Sequence, residues 1–279
     1  MLLSVRMVSV GFVLLLAMLL APHSRAEVPR VVSTDGATTE ILLALGLGQS
    51  LVGIDVTSVV PERLSGLPSV GYHRALPAEG VLSLAPDVIV GSEHMGPEPA
   101  IRQLEAAGVE VVRLPSADSI ETLVQNIQQL ARRLAPEQGD DALLGKLREQ
   151  QARLAQRELG GIRTLFLLTA ENRLRLSGSG TTGDALIKLT GAINPADFEN
   201  YRSVTAETLL AYEPELILVA GEGDGDAAAE LLQQQPLLRH TPAGQKGRII
   251  GVDGRTLVAG IGPGAVREAL KVVEQIQGQ

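Results

Sequence analysis

Short apolar runs alternate with helical patterns along most of this chain. In the first half the runs are "VPRVVS" from Val28, "LVGID" from Leu51, "DVIVGSE" from Asp87 and "VEVVRLP" from Val109. Between them, Asp35 or Thr38 is placed to cap a helix carrying Ile41, Leu42 and Leu45, which Gly46 or Gly48 ends. "EPAIRQLEAAG" is a helix with its stop at Gly108. A strand buried on both faces reads as a continuous apolar run. Such strands alternating with helices specify an α/β fold, a parallel sheet covered on both sides.

The rhythm then changes and resumes. Asp118 and Glu121 form a candidate capping box for a helix whose face is Ile120, Leu123, Val124, Ile127, Leu130, Ala131 and Leu134. Pro136 interrupts it. A second, polar helix is expected from about Glu137 to Glu158; at 1.5 Å per residue it would be about 33 Å long. Strands follow at "RTLFLLT", "PELILVAG" and "GRIIGVD", with helices at "TGDALIKLTGA" and "GPGAVREALKVVEQIQ". The expected architecture is an N-terminal lobe over 27–136, a connecting helix over 137–160 and a C-terminal lobe over 161–279. An internal echo supports two lobes of one plan. "AEGVLSLAPDVIV" from Ala78 aligns with "AETLLAYEPELIL" from Ala206 at an offset of 128, with Asp87 opposite Glu215. Each copy puts a glutamate, Glu79 or Glu207, in the first turn of a helix, where the helix dipole favours a carboxylate.

The first residues, "MLLSVRMVSVGFVLLLAMLLAPHSRAEVPR", carry Arg6, an apolar run from Val8 to about Ala21, and small residues at Ser24 and Ala26. This is the pattern of a secretory signal peptide over 1–26; the run is shorter than the roughly 20 residues of a spanning helix. Cleavage would remove Arg6 and Arg25 and take the net charge from −8 to −10. An acidic chain is unsuited to coating nucleic acid. With no cysteine, disulfides, thiolate metal sites and a cysteine nucleophile are excluded.

No hydrolase, P-loop or zinc-protease signature occurs. "SGSGTTGD" from Ser177 is a glycine-rich turn before a helix, a cap or an anion cradle. His73, His94 and His240 are not spaced as metal ligands. His94 follows a strand and so falls where an open α/β sheet lines its ligand crevice. The stretch "VGYHRALPAEG" holds Tyr72 between Gly71 and His73, off any periodic core face, in a chain with only three tyrosines. Arg74, two residues on, is a cation that would favour a phenolate or clamp a carboxylate. A phenol ionises near pH 10, but ferric iron deprotonates its ligands, and tyrosinate is a known haem ligand.

The order of these segments resembles the periplasmic haem-binding proteins of bacterial haem ABC importers, in the long-helix class that also carries cobalamin and siderophores. The resemblance rests on "VVSTDGATTEILLALGLGQSLVGIDVTSVVPE", "LPSVGYHRALPAEGVLSLAPDVIVGSE", "SGSGTTGDALIKLTGA", "VTAETLLAYEPELILVAG" and "GIGPG". It implies Tyr72 as axial ligand of haem iron, Arg74 beside it, and Glu79 and Glu207 as one docking acid per lobe for an inner-membrane ABC permease dimer. His94 and Arg255 are candidate supports of the haem site, and His73 or His94 a candidate aid to transfer. The implied protein is a monomeric periplasmic carrier of haem, served indirectly by an outer-membrane haem uptake system, and not an enzyme. Two departures stand out. The "SGSGTTGD" loop lacks the histidine that some relatives use as a second ligand, and Gly264 stands where relatives tend to have arginine after the glycine-proline turn. Alternative expectations are a siderophore or cobalamin carrier, and a secreted α/β hydrolase using Ser179 or a carboxylate.

Overall fold

The computed structural model describes residues 28–170, 173–221 and 226–278, so the signal-peptide expectation over 1–26 lies outside the described residues. The N-terminal sheet has four parallel strands, β1 (Val31–Ser33), β2 (Leu51–Ile54), β3 (Val88–Ser92) and β4 (Glu110–Leu114), in the order β2–β1–β3–β4. Helices α1 (Gly36–Ala44), α2 (Ala78–Leu82) and α3 (Glu98–Ala106) connect them. The strand order reverses direction between β1 and β3, so a crevice opens beyond their C-terminal ends. Asp35 occupies that switch point. Its carboxylate accepts from Thr38 N–H at 2.8 Å, capping α1, and from Ser92 N–H at 2.6 Å, tying the ends of β1 and β3 together. Gly91 permits this approach: a Cβ there would overlap Thr34 Oγ1 and lie 3.1 Å from both Asp35 Oδ2 and Met95 Cγ.

Two 15-residue helices follow, α4 (Ile120–Leu134) and α5 (Asp141–Ala155). The long polar helix expected from Glu137 to Glu158 is therefore shorter at both ends, about 22 Å at 1.5 Å per residue. Residues 136–139 form a turn instead, closed by Gly139 at φ 68, a left-handed conformation that no helix continues through. The expected Asp118 capping box is also displaced by one residue. Ser119 caps α4, accepting from Thr122 N–H at 3.3 Å.

The C-terminal sheet has strands β5 (Thr164–Ala170), β6 (Arg173–Ser177), β7 (Tyr201–Val204), β8 (Leu216–Gly221) and β9 (Ile249–Asp253), ordered β7–β6–β5–β8–β9. β5, β8 and β9 are parallel and repeat the β1–β3–β4 plan; β6 and β7 extend the sheet antiparallel. Helices α6 (Thr182–Leu189), α7 (Ala206–Ala211), α8 (Ala227–Gln234) and α9 (Pro242–Gln245) pack around it, and α10 (Pro263–Gln277) closes the fold. The echo in the sequence is an echo in structure. α2 and α7 are equivalent, and each is followed by a non-glycine residue at φ 44, Ala85 and Glu213, 128 positions apart. One apolar core runs through both lobes, joining Ile41 and Val90 to Leu130, Leu147, Phe166, Leu186 and Val273. The lobes are thus continuous at their base, where α10 packs on α5, α6 and α1.

Candidate ligand site at the mouth of the interlobe cleft

Tyr72 stands on the loop from β2 to α2. Val56 N–H donates to Gly71 O at 3.0 Å, and Gly71 at φ 81 turns the chain outward. Tyr72 O accepts from Ala75 N–H at 2.8 Å, closing a tight turn. The loop is then stitched to the segment after β3. Gly96 N–H donates to His73 O, and Leu76 N–H to Gly96 O, both at 2.8 Å. A rigid platform results, with the Tyr72 ring 45% exposed above it.

His73 is the reverse case. It is buried beneath Tyr72, the ring centroids 4.2 Å apart at 51°. Its Nδ1 lies 3.6 Å from Asp55 Oδ2. Asp55 is itself buried and accepts from Thr57 N–H and Oγ1–H and from Ser58 Oγ–H. His73 thus belongs to the floor of the site, not its surface. Arg74 is exposed on the same loop. His94, beyond β3, is largely exposed too; partial desolvation of its ring and the charge of Arg74 hold its pKa below the usual histidine value, which favours the neutral ring. Arg74 is thus near enough to His94 to act on its charge, and it shares its loop with Tyr72.

Val56 and Val59 were not singled out in the sequence. They are 63% and 45% exposed and share the segment that carries Tyr72, an unusual apolar concentration for a surface loop. The signal was present as "VTSVV", apolar residues with no helical or alternating period. Val59 also lines a cavity of about 200 Å3 between the lobes, with Gly36, Glu40 and Thr57 on one side and Asp253 and Arg255 on the other. Arg255 thus reaches the interlobe space. Its guanidinium forms a two-pronged pair with Asp253, Nε to Oδ1 at 2.9 Å and Nη2 to Oδ2 at 2.8 Å, which holds the Asp253 carboxyl below its usual pKa.

The glycine-rich loop Ser177–Asp184 makes its hydrogen bonds within itself and to neighbouring residues of the same lobe. Thr181 caps α6, its hydroxyl paired with Ser177 Oγ, and Asp184 binds Lys188 Nζ at 2.7 Å and Asn194 Nδ2 at 2.9 Å. This is a structural cap. Ser179 Oγ–H donates to Phe198 O at 3.3 Å, not to a base, which leaves no activated nucleophile there. Among the described residues no cluster of histidine and carboxylate side chains could hold a bare metal ion.

Glu79 and Glu207 are both exposed in the first turns of α2 and α7. The Thr205 hydroxyl lowers the pKa of Glu207, keeping it ionised. Both lie at the end of their lobe where the parallel strands terminate. α2 runs back from that end into β3, and β7 delivers α7 there, its Val204 paired with Leu174 and through it with Thr169 near the end of β5.

Residues 31–256 match the family model for the periplasmic binding protein. The chain belongs to that family. Its solved relatives include the periplasmic haem-binding protein HutB of Vibrio cholerae, 38% identical, with a TM-score of 0.81 over 90% of this chain and 99% of that one. Another is a periplasmic haem-binding protein from Pseudomonas aeruginosa, 37% identical, with a TM-score of 0.78 over 88% and 92%. A vitamin B12-binding protein of Yersinia pestis is 29% identical over 218 residues, 75% of each chain. The two-lobed architecture of this periplasmic binding protein is thus the family's, and Tyr72, Arg74 and His94 sit within the matched span, as do Glu79, Glu207 and Arg255.

Proposed function

We propose that this protein is a periplasmic carrier that captures haem at the mouth of the interlobe cleft and hands it to an ABC permease dimer of the inner membrane. The observation that carries the reading is Tyr72, a phenol standing free on a hydrogen-bonded platform with apolar Val56 in the same loop. Burying such a ring is not what the fold needs it for. Similarity to haem-binding proteins of Vibrio cholerae and Pseudomonas aeruginosa supports haem as the cargo.

Each residue has a role set by its placement. Tyr72 supplies the phenolate oxygen to ferric iron. Arg74 places a positive charge beside that anion or pairs with a haem propionate. Neutral His94 offers an N–H or a lone pair at the rim. Val56 and Val59 cover apolar macrocycle surface. Arg255, already paired to Asp253, contributes to the far wall as a dipole rather than as a bare charge. The chain contains no cysteine, and the loop Ser177–Asp184 has no histidine, so the C-terminal lobe adds no second strong donor there. Glu79 and Glu207 dock on basic residues of two permease subunits. The protein acts as a monomer, is exported through its N-terminal signal peptide, receives haem from an outer-membrane uptake system, and changes no bond in its cargo.

A cobalamin carrier is the second reading, favoured by the likeness to the vitamin B12-binding protein. Cobalamin arrives with its metal coordinated and has no use for a tyrosinate. Titration of the mature protein with hemin therefore separates the two. A high-spin ferric tyrosinate spectrum that vanishes in Tyr72→Ala supports haem. Undiminished binding with an unaltered spectrum in that variant removes Tyr72 from the site, and preferential binding of cobalamin replaces the cargo.

A further inference from the structure

Glu79 and Glu207 stand on helices of little more than one turn, five residues in α2 and six in α7. A helix so short has no stability of its own, so its direction must be imposed from outside. Beyond each helix the chain passes through Ala85 or Glu213 at φ 44, a conformation disfavoured for residues with a Cβ.

An arginine secures this arrangement in both lobes. Arg30 immediately precedes β1. Its carbonyl accepts from Asp87 and Val88 N–H at 2.9 and 3.2 Å, and its own N–H donates to Asp87 Oδ2 at 2.8 Å. Its guanidinium donates to Ala85 O at 2.8 Å and Leu84 O at 2.7 Å. Arg163 immediately precedes β5 and repeats the backbone part. Its carbonyl accepts from Glu215 and Leu216 N–H at 2.8 and 3.2 Å, and its N–H donates to Glu215 Oε2 at 3.2 Å. Its guanidinium grips a single carbonyl, Glu213 O, at 3.3 and 2.9 Å, and pairs with the Glu213 carboxylate at 3.2 Å. Strand pairing accounts for the backbone bonds in any sequence. It does not account for two guanidinium groups holding the carbonyls just past two equivalent helices.

We propose that Arg30 and Arg163 are positioning residues for docking: each clamps the C-terminal side of a short helix to the sheet and thereby fixes where Glu79 or Glu207 meets the permease. The inference rests on the docking reading above. The same local device on each lobe presents its acid in the same way, as suits a partner built from two like subunits. Because the clamps lie behind the helices and away from Tyr72, they bear on delivery and not on capture.

The test is Arg30→Met with Arg163→Met, read in three ways. In membranes containing the transporter, the concentration of haem-loaded protein that half-saturates ATP hydrolysis should rise about tenfold, the weight of one charge-assisted hydrogen bond, while haem affinity stays unchanged. Lysine at both positions replaces each guanidinium's two-donor grip with a single point contact, and should give an intermediate rise, although the charge is kept. Nitroxide labels on Glu79→Cys and Glu207→Cys, unique because the chain has no cysteine, should report a broader distance distribution in the Met variant. If the Met variant does not fold, the Lys variant carries all three measurements. Unchanged half-saturation and distance width, or an equal fall in haem affinity, overturns the clamp. Glu79→Ala with Glu207→Ala is the control. If it also leaves delivery intact, the docking reading fails; if it impairs delivery and the arginine variants do not, the clamp alone fails.

Discussion

Replacement of Gly264 by alanine should destabilise the protein, and the same replacement should become harmless once Glu40 is gone. Glu40 lies on α1 of the N-terminal lobe and Gly264 in the first turn of α10, 224 residues later. Gly264 N–H donates to Glu40 Oε2, and Arg267 Nη2 stands 3.7 Å from Oε1, so a carboxylate from one lobe caps the last helix of the other. A Cβ on residue 264 would lie 2.7 Å from Glu40 Oε2 and 2.8 Å from Cδ. The carboxylate would have to swing away and surrender its bond to the helix. A hydrogen bond to a charged group contributes about 1.5–3 kcal/mol. Against it stands the helix preference for alanine over glycine, up to about 1 kcal/mol. Gly264→Ala should therefore cost about 1–2 kcal/mol alone. In a Glu40→Ala background the three atoms nearest that Cβ are gone, and Gly264→Ala should be neutral or stabilising by up to about 1 kcal/mol. The expected coupling is about 2 kcal/mol, within the range for residues in direct contact. Urea unfolding of the four proteins, followed by circular dichroism, measures it. Equal effects of Gly264→Ala in both backgrounds would refute the interlobe cap.

Two further outcomes follow from the same geometry. Burial raises the pKa of Asp35 and of Glu40 above their ordinary values of 3.8 and 4.5, the desolvation outweighing their hydrogen bonds. A carboxyl whose folded pKa is raised binds its proton in the folded state first, so its contribution favours folding as pH falls through the folded value and is complete below the unfolded one. Glu40→Gln keeps an acceptor for Gly264 and removes one such titration; thermal melts from pH 7 downward should show less acid-side gain in the variant than in the parent, and parallel curves would contradict the assignment. Ala85→Gly should stabilise by about 0.5–1 kcal/mol, because glycine adopts the φ of 44 without the cost a Cβ incurs. A loss of stability there would mean that the Arg30 clamp does not hold the residue in that conformation.

How much of this was legible in the sequence depended on distance along the chain. The α/β plan was readable because each buried strand is a local apolar run. The equivalence of α2 and α7 was readable because "AEGVLSLAPDVIV" and "AETLLAYEPELIL" preserve it in words. Tyr72 was readable as an unburied ring from Gly71 and the aperiodic residues around it. The β6–β7 extension is absent from the sequence reading, though "RLRLS" alternates as a strand buried on one face should, with Leu174 and Leu176 buried and Arg173 and Arg175 exposed. The helix over 141–155 was extended too far because its polar flanks carry no strong stop before Gly160, and only Gly139 marked the start. The Glu40–Gly264 contact had no local signature, since neither residue is unusual among its neighbours and only the closed fold brings them together.

The same contacts bear on how loading is signalled. The lobes share one apolar core and are capped across by Glu40, so a wide closure would have to break both. Tyr72 and Glu79, by contrast, lie on one short stretch, and the loop between them is stitched to Gly96 on both sides. Ligation of iron at Tyr72 would therefore be felt at α2 as a stiffening of this loop before it could be felt as a movement of lobes. Small-angle scattering of the free and haem-loaded protein should give superimposable curves. Hydrogen exchange over residues 71–82 should slow on loading more than exchange in α5 at the connection between lobes. A clear fall in radius of gyration on loading, with unaltered exchange in 71–82, would place the signal in hinge closure and remove this loop from it.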